Sequence, residues 1–216
     1  MFKTGNIFID SFSQVIVFFP LLPVIIIFLR RIYQKDVLSF LMILCLLNFS
    51  QELVLQTLRI KYINQASIRH IFSLLEFVII IQIFKSLLNG KSKEIINILV
   101  IAFLSAIVTY YLIKGSDQKK ILPDILQNGF LILFVAYSLV NIVRQENLRI
   151  FYSVFFWIAT GTLFYFVIAI LLDIIDACCP QFNHPITTDK MLLLNIANLA
   201  RYFFYTLATL LYNNKP

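Results

Sequence analysis

Long apolar runs separated by short polar breaks constrain this sequence more than any other feature. A helix that crosses a bilayer needs about 20 mostly apolar residues. Seven runs approach that length, at residues 13–29, 37–56, 70–88, 95–113, 121–143, 150–175 and 191–212. They are too long, and too rich in Leu, Ile and Phe, for barrel strands, which alternate polar and apolar residues over about ten positions. Helices remain, because every backbone polar group must find its partner inside the lipid. The expected fold is all-α: a polytopic transmembrane helix bundle of about seven spans, forming one integral membrane domain over residues 1–216. The third and fifth runs read as the least apolar.

Composition removes the soluble alternatives. Only 13% of the residues are charged and 60% are apolar, against roughly 25% charged in an average soluble domain. Three cysteines make no disulfide framework. The net charge of +7 is spread between the apolar runs and does not form a patch for nucleic acid, so it belongs to loops at the lipid surface. The start Met-Phe-Lys-Thr-Gly has no strongly basic region, and no small-residue cleavage site follows the first run, which therefore reads as a retained helix. Pro20 and Pro23 are expected to kink it, since each removes a helical hydrogen bond.

Loop charges vote only weakly on orientation. With the N-terminus outside, the inner loops hold Arg30, Arg31, Lys35, Lys85, Lys91, Lys93, Arg144 and Arg149, and the outer ones Arg59, Lys61, Arg69, Lys114, Lys119, Lys120 and Lys190. The acidic stretch after the sixth run, with Asp173, Asp176 and Asp189, suits the outside. The expectation is N-out and C-in, in a bacterial cytoplasmic membrane.

Ionisable side chains within a span cost about 2.5–3.5 kcal/mol each on insertion scales and need a reason. The second run carries Asn48, Gln51 and Glu52, the third Ser73 and Glu76, and the seventh Asn195, Asn198, Arg201, Tyr202 and Tyr205. Steps of three and four put the last group on one side of a helix. Counting from the run ends places Glu52, Glu76 and Arg201 in the outer half of the bundle. Glu76 and Arg201 are expected to pair. The pair serves either to fix helix register or as part of a ligand site with Glu52 and Asn198, supported by Asn48, Ser73, Asn195, Tyr202 and Tyr205. A short internal match sets Ile71–Phe77 against Ile196–Tyr202, with Ser73 opposite Asn198 and Glu76 opposite Arg201. It would make the third and seventh helices equivalents in two three-helix halves joined by the fourth.

Other features read as structural. Tyr110, Tyr111 and Tyr212 stand near span ends as interfacial anchors. Gly161, between Thr160 and Thr162, permits close helix approach. Cys178 and Cys179 are expected to be free thiols, and with His184 they lack the spacing of a metal site. Asp173 and Asp176 close the wet end of the sixth helix. The Asn48-Phe-Ser50 sequon lies inside a span.

Absent motifs argue against catalysis. A retinal protein needs a lysine within the last helix, and none lies between Met191 and Tyr212. Ceramidase-type hydrolases need three histidines, and this sequence has two, His70 and His184. No cofactor is expected.

The segments Ile68-Arg-His-Ile-Phe-Ser-Leu-Leu-Glu76-Phe, Phe156-Trp-Ile-Ala-Thr-Gly-Thr-Leu-Phe-Tyr165-Phe and Asn195-Ile-Ala-Asn198-Leu resemble a group of small bacterial seven-helix proteins. These in turn are similar to the seven-helix sensory regions of some histidine kinases. The resemblance implies a non-enzymatic, receptor-like membrane module and brings no catalytic residues. Such kinases continue into a cytoplasmic transmitter, whereas this sequence stops at Pro216, so a separate partner is expected to read any helix movement. The expected partners are membrane lipid and a signalling or complex-forming protein, with self-association left open. An accessory subunit of a larger membrane complex is the first alternative reading, and a small transporter or channel the second.

Overall fold

A computed structural model describes residues 14–60, 65–88, 90–114, 121–178 and 186–212. Seven α-helices follow one another within these residues: α1 Leu21–Leu29, α2 Asp36–Ile60, α3 Ala66–Lys85, α4 Lys91–Lys114, α5 Ile121–Glu146, α6 Val154–Cys178 and α7 Ile186–Leu211. Six of them, α2 to α7, are long and apolar enough to cross a membrane. The protein is thus a multi-pass helical membrane protein.

The first run behaves differently from the rest. Its apolar helical stretch extends over Gln14–Leu29, about 24 Å at 1.5 Å per residue, which is less than a bilayer's hydrocarbon thickness of about 30 Å. Residues 17–20 are turns between two helical pieces. The amides of Phe18, Phe19, Leu21 and Leu22 each reach back three residues instead of four. Pro20 has no amide hydrogen to give, so the chain tightens there, and α1 starts immediately after it.

The C-terminus of α1 is a Schellman motif. The amide of Arg31 donates to the Phe28 carbonyl and that of Ile32 to the Ile27 carbonyl. Arg31 takes the left-handed conformation (φ 55°) usually left to glycine. Ile27 and Ile32, the pair whose contact accompanies this motif, are both buried in the core.

Other helix limits shift from the sequence expectation. α3 begins at Ala66, a turn before His70, and stops at Lys85, because Ser86 and Leu87 form a turn. Gly90 (φ 51°) makes the reversal into α4. A 3-10 segment, Asn147–Tyr152, occupies the start of the sixth run, so α6 starts at Val154. α7 begins at Ile186 and includes Lys190. It is also the least apolar of the six spans, in place of the third and fifth, because it carries the polar side chains of the bundle interior. Asn89, the loop residues Lys61, Lys119 and Lys120, and the Cys179 and His184 of the rejected metal site lie outside the described residues.

Neighbouring helices close a ring. α1 packs on α2, α2 on α3, α3 on α5, α5 on α6, α6 on α7, and α7 back on α1. Two three-helix arcs, α1–α2–α3 and α5–α6–α7, thus face each other. α4 stands outside the ring against α3, with only 6% of its span buried. The Phe77–Phe103–Phe130 rings, with centroids 5.1–5.6 Å apart, hold it to α3 and α5. Side-chain contacts fix which helix ends share a face. His70, Tyr111 and Asp124 meet at one face, with Asp173 and Lys190 joined at the same ends of α6 and α7. Arg30 and Thr209 meet at the opposite one.

Candidate functional site

The interior of the ring is largely apolar, and its buried charges lie at one level. Leu41, Leu44, Phe77, Ile80, Phe84, Leu131 and Ile158 are fully buried around it. Within this wall α3 presents Glu76 and α7 presents Arg201. The Arg201 Nη1 donates to Glu76 Oε1 over 2.6 Å, and the two residues are 2% and 9% exposed. Glu76 lies midway between Ser67 and Lys85, and Arg201 midway between Lys190 and Leu211. Because α3 starts before His70 and α7 before Met191, the pair stands nearer the middle of its helices than a count from the run ends gives.

Four helices contribute to this level. Asn48 of α2 donates through Nδ2 to the same Glu76 oxygen at 3.4 Å. Tyr202, next to Arg201 on α7, accepts from Arg201 Nη2 at 2.8 Å through its hydroxyl. Tyr165 of α6 lies under the guanidinium, with Cζ 4.0 Å from its ring centroid, and the Tyr202 ring is 5.0 Å away. A cation facing aromatic rings away from water gains about 2 kcal/mol. Together with the carboxylate, these contacts meet much of the cost of keeping a guanidinium out of water.

Two atoms here have no partner. Arg201 Nε and Asn198 Oδ1 are buried and make no hydrogen bond among the described residues. Asn198 stands three residues before Arg201 on α7, hence on the same side of the helix. An unmet buried polar atom costs about 1–3 kcal/mol, and most native structures avoid it.

The remaining candidates from the sequence separate into distinct places. Glu52 is half-buried one turn of α2 from Asn48, without an ion-pair partner among the described residues, yet close enough to act electrostatically on Tyr165. Asn195 is half-buried one turn beyond Asn198. Ser73 does not join the pair: its carbonyl and hydroxyl both accept from Gln127 Nε2, at 2.9 and 2.8 Å. Tyr205, fully buried, shares a 2.9 Å hydrogen bond with Thr162, whose hydroxyl also reaches the Ile158 carbonyl.

Gly161 lies beside them. A Cβ there would come within 2.9 Å of Phe204 Cβ and 3.0 Å of the Arg201 carbonyl oxygen. The missing side chain is what lets α6 approach α7 closely enough for Tyr165 to reach the guanidinium.

Sequence reasoning passed over Tyr165 and Gln127 as site residues. Gln127 had a readable signal, since an amide inside an apolar run needs a partner. Tyr165 had none, because a tyrosine in a span reads equally as packing. The described residues contain no group of three or more His, Cys, Asp and Glu side chains able to hold a metal. No protein-family model, curated protein or solved structure matches this chain.

Proposed function

We propose that the protein is a seven-helix, receptor-like module of a bacterial cytoplasmic membrane, oriented N-out and C-in, with the Gln14–Leu29 stretch as its seventh crossing. A signal molecule would bind among Glu52, Glu76, Asn198 and Arg201, and a separate protein would read the resulting helix movement. The observation that carries this reading is the unmet pair of atoms, Arg201 Nε and Asn198 Oδ1, at a buried ion pair. A pair that served register alone would not need them left open. Ligand binding there would pull on α7, which touches both α6 and α1.

A deletion strain tests this. Transcripts that change on deletion are expected to return with the wild-type gene, and to stay altered with a Glu76→Gln/Arg201→Met double mutant inserted at normal level. Full restoration by the double mutant would overturn the sensor reading.

The lightly packed α4 favours a second reading, an accessory subunit that offers this helix to a larger complex. A partner that persists through mild detergent extraction and is lost when α4's lipid-facing residues are changed would support it.

A further inference from the structure

We infer that the group recognised at this site is uncharged and carries a hydroxyl, a neutral alcohol or polyol; this rests on the binding-site reading above. Charge comes first. Glu76 and Arg201 neutralise each other at 2.6 Å, in surroundings where an uncompensated ion costs several kcal/mol. A ligand carboxylate would compete with Glu76 for Arg201 and leave the Glu76 carboxylate buried without its cation. A ligand ammonium would compete with Arg201 in the same way. A neutral ligand leaves the pair intact.

Hydrogen bonding then selects among neutral groups. The two open positions are opposite in kind: Arg201 Nε–H is a donor and Asn198 Oδ1 an acceptor. A hydroxyl oxygen accepts from the first while its hydrogen goes to the second. An ether or a ketone satisfies only the Arg201 donor. The two residues are i and i+3 on α7, so their side chains leave the same side of the helix. Glu52, half-buried nearer the His70 face, offers an acceptor for a second hydroxyl.

The test uses purified full-length protein in phosphatidylcholine nanodiscs, which avoids sugar-headed detergents that would themselves occupy the site. Thermal unfolding is followed with four probes: glycerol, 1-monodecanoin, decanoate and decyltrimethylammonium. A saturable rise in Tm of several degrees with monodecanoin alone identifies a lipid source of the hydroxyl, and one with glycerol a free polyol. Either is expected to vanish in Asn198→Leu and in Arg201→Lys, which keeps the charge but not the Nε–H. The Glu76–Arg201 pair is retained in Asn198→Leu, so that variant is expected to fold.

A saturable rise with decanoate or the ammonium, lost in Asn198→Leu, would overturn the ligand class while leaving the site in place. No rise with any probe, together with a higher Tm for Asn198→Leu than for wild type, would mean that the open atoms hold only water. That result overturns the hydroxyl proposal, and the transcript experiment then decides the sensor reading independently.

Discussion

The Arg30 guanidinium donates to the Thr209 carbonyl at 2.7 Å and to that of Leu210 at 2.9 Å, across 179 and 180 residues of sequence. The final carbonyls of a helix have no partners of their own, and a cation beside them also meets the negative end of the helix dipole. One side chain from the end of α1 therefore caps α7 and joins the two helices that close the ring. Its neighbour Arg31 makes the turn that holds Arg30 in place.

Removing that cap has a local cost. Arg30→Ala is expected to lower stability by about 1–2 kcal/mol. Hydrogen exchange should speed up at the last turn of α7 and leave α3 unchanged. Arg31→Gly is expected to act oppositely, raising stability by about 1 kcal/mol because glycine adopts the left-handed conformation without strain.

The buried pair should behave as a unit. Glu76→Gln and Arg201→Met are each expected to destabilise by about 3–5 kcal/mol, since each leaves the other charge buried alone. The double mutant is expected to fall short of the sum by about 2 kcal/mol or more in a denaturant unfolding cycle. Additive losses would show that the two charges are not coupled.

Gly161→Ala puts a methyl group where Phe204 and the Arg201 carbonyl already lie. The expected loss is about 1–3 kcal/mol. Because α6 must move away from α7, the Trp157 emission should change as its stacking on Phe204 (centroids 5.7 Å) is disturbed. The enlarged variant Gly161→Leu should fail to accumulate in the membrane.

Thiol accessibility checks the orientation. Cys45 is fully buried and Cys178 exposed, and both are free. In a Cys179→Ser background, a membrane-impermeant maleimide added to intact cells should label Cys178 once and leave Cys45 unmodified until the protein is denatured. Labelling of Cys178 only after the cells are opened would reverse the proposed N-out arrangement.

The spans were legible because a run of about 20 apolar residues has few other uses. The Glu76–Arg201 partnership was legible for a related reason, as opposite charges inside apolar helices have few places to go. Where the pair stands along its helices was less legible, because α3 and α7 begin a turn or more before His70 and Met191, through polar residues such as Ser67 and Lys190. Arg30 read as a loop charge, since nothing in its surroundings announces carbonyls 179 residues away. The peripheral place of α4 was also hidden. Lipid tails are as apolar as a packed helix, so a lipid-facing span and an interior one carry similar residues.

The position of α4 outside the ring has a consequence for direction. A three-helix arc ends at the opposite face of the bundle from where it began. A second arc attached directly would be inserted upside down relative to the first, and Glu76 and Arg201 would then approach from helices of opposite sense. One additional helix restores the direction, so that α1 and α5 run the same way, as do α3 and α7. That task asks only that a segment traverse the lipid, which explains how a helix with so little of its surface packed remains one of the most apolar in the chain.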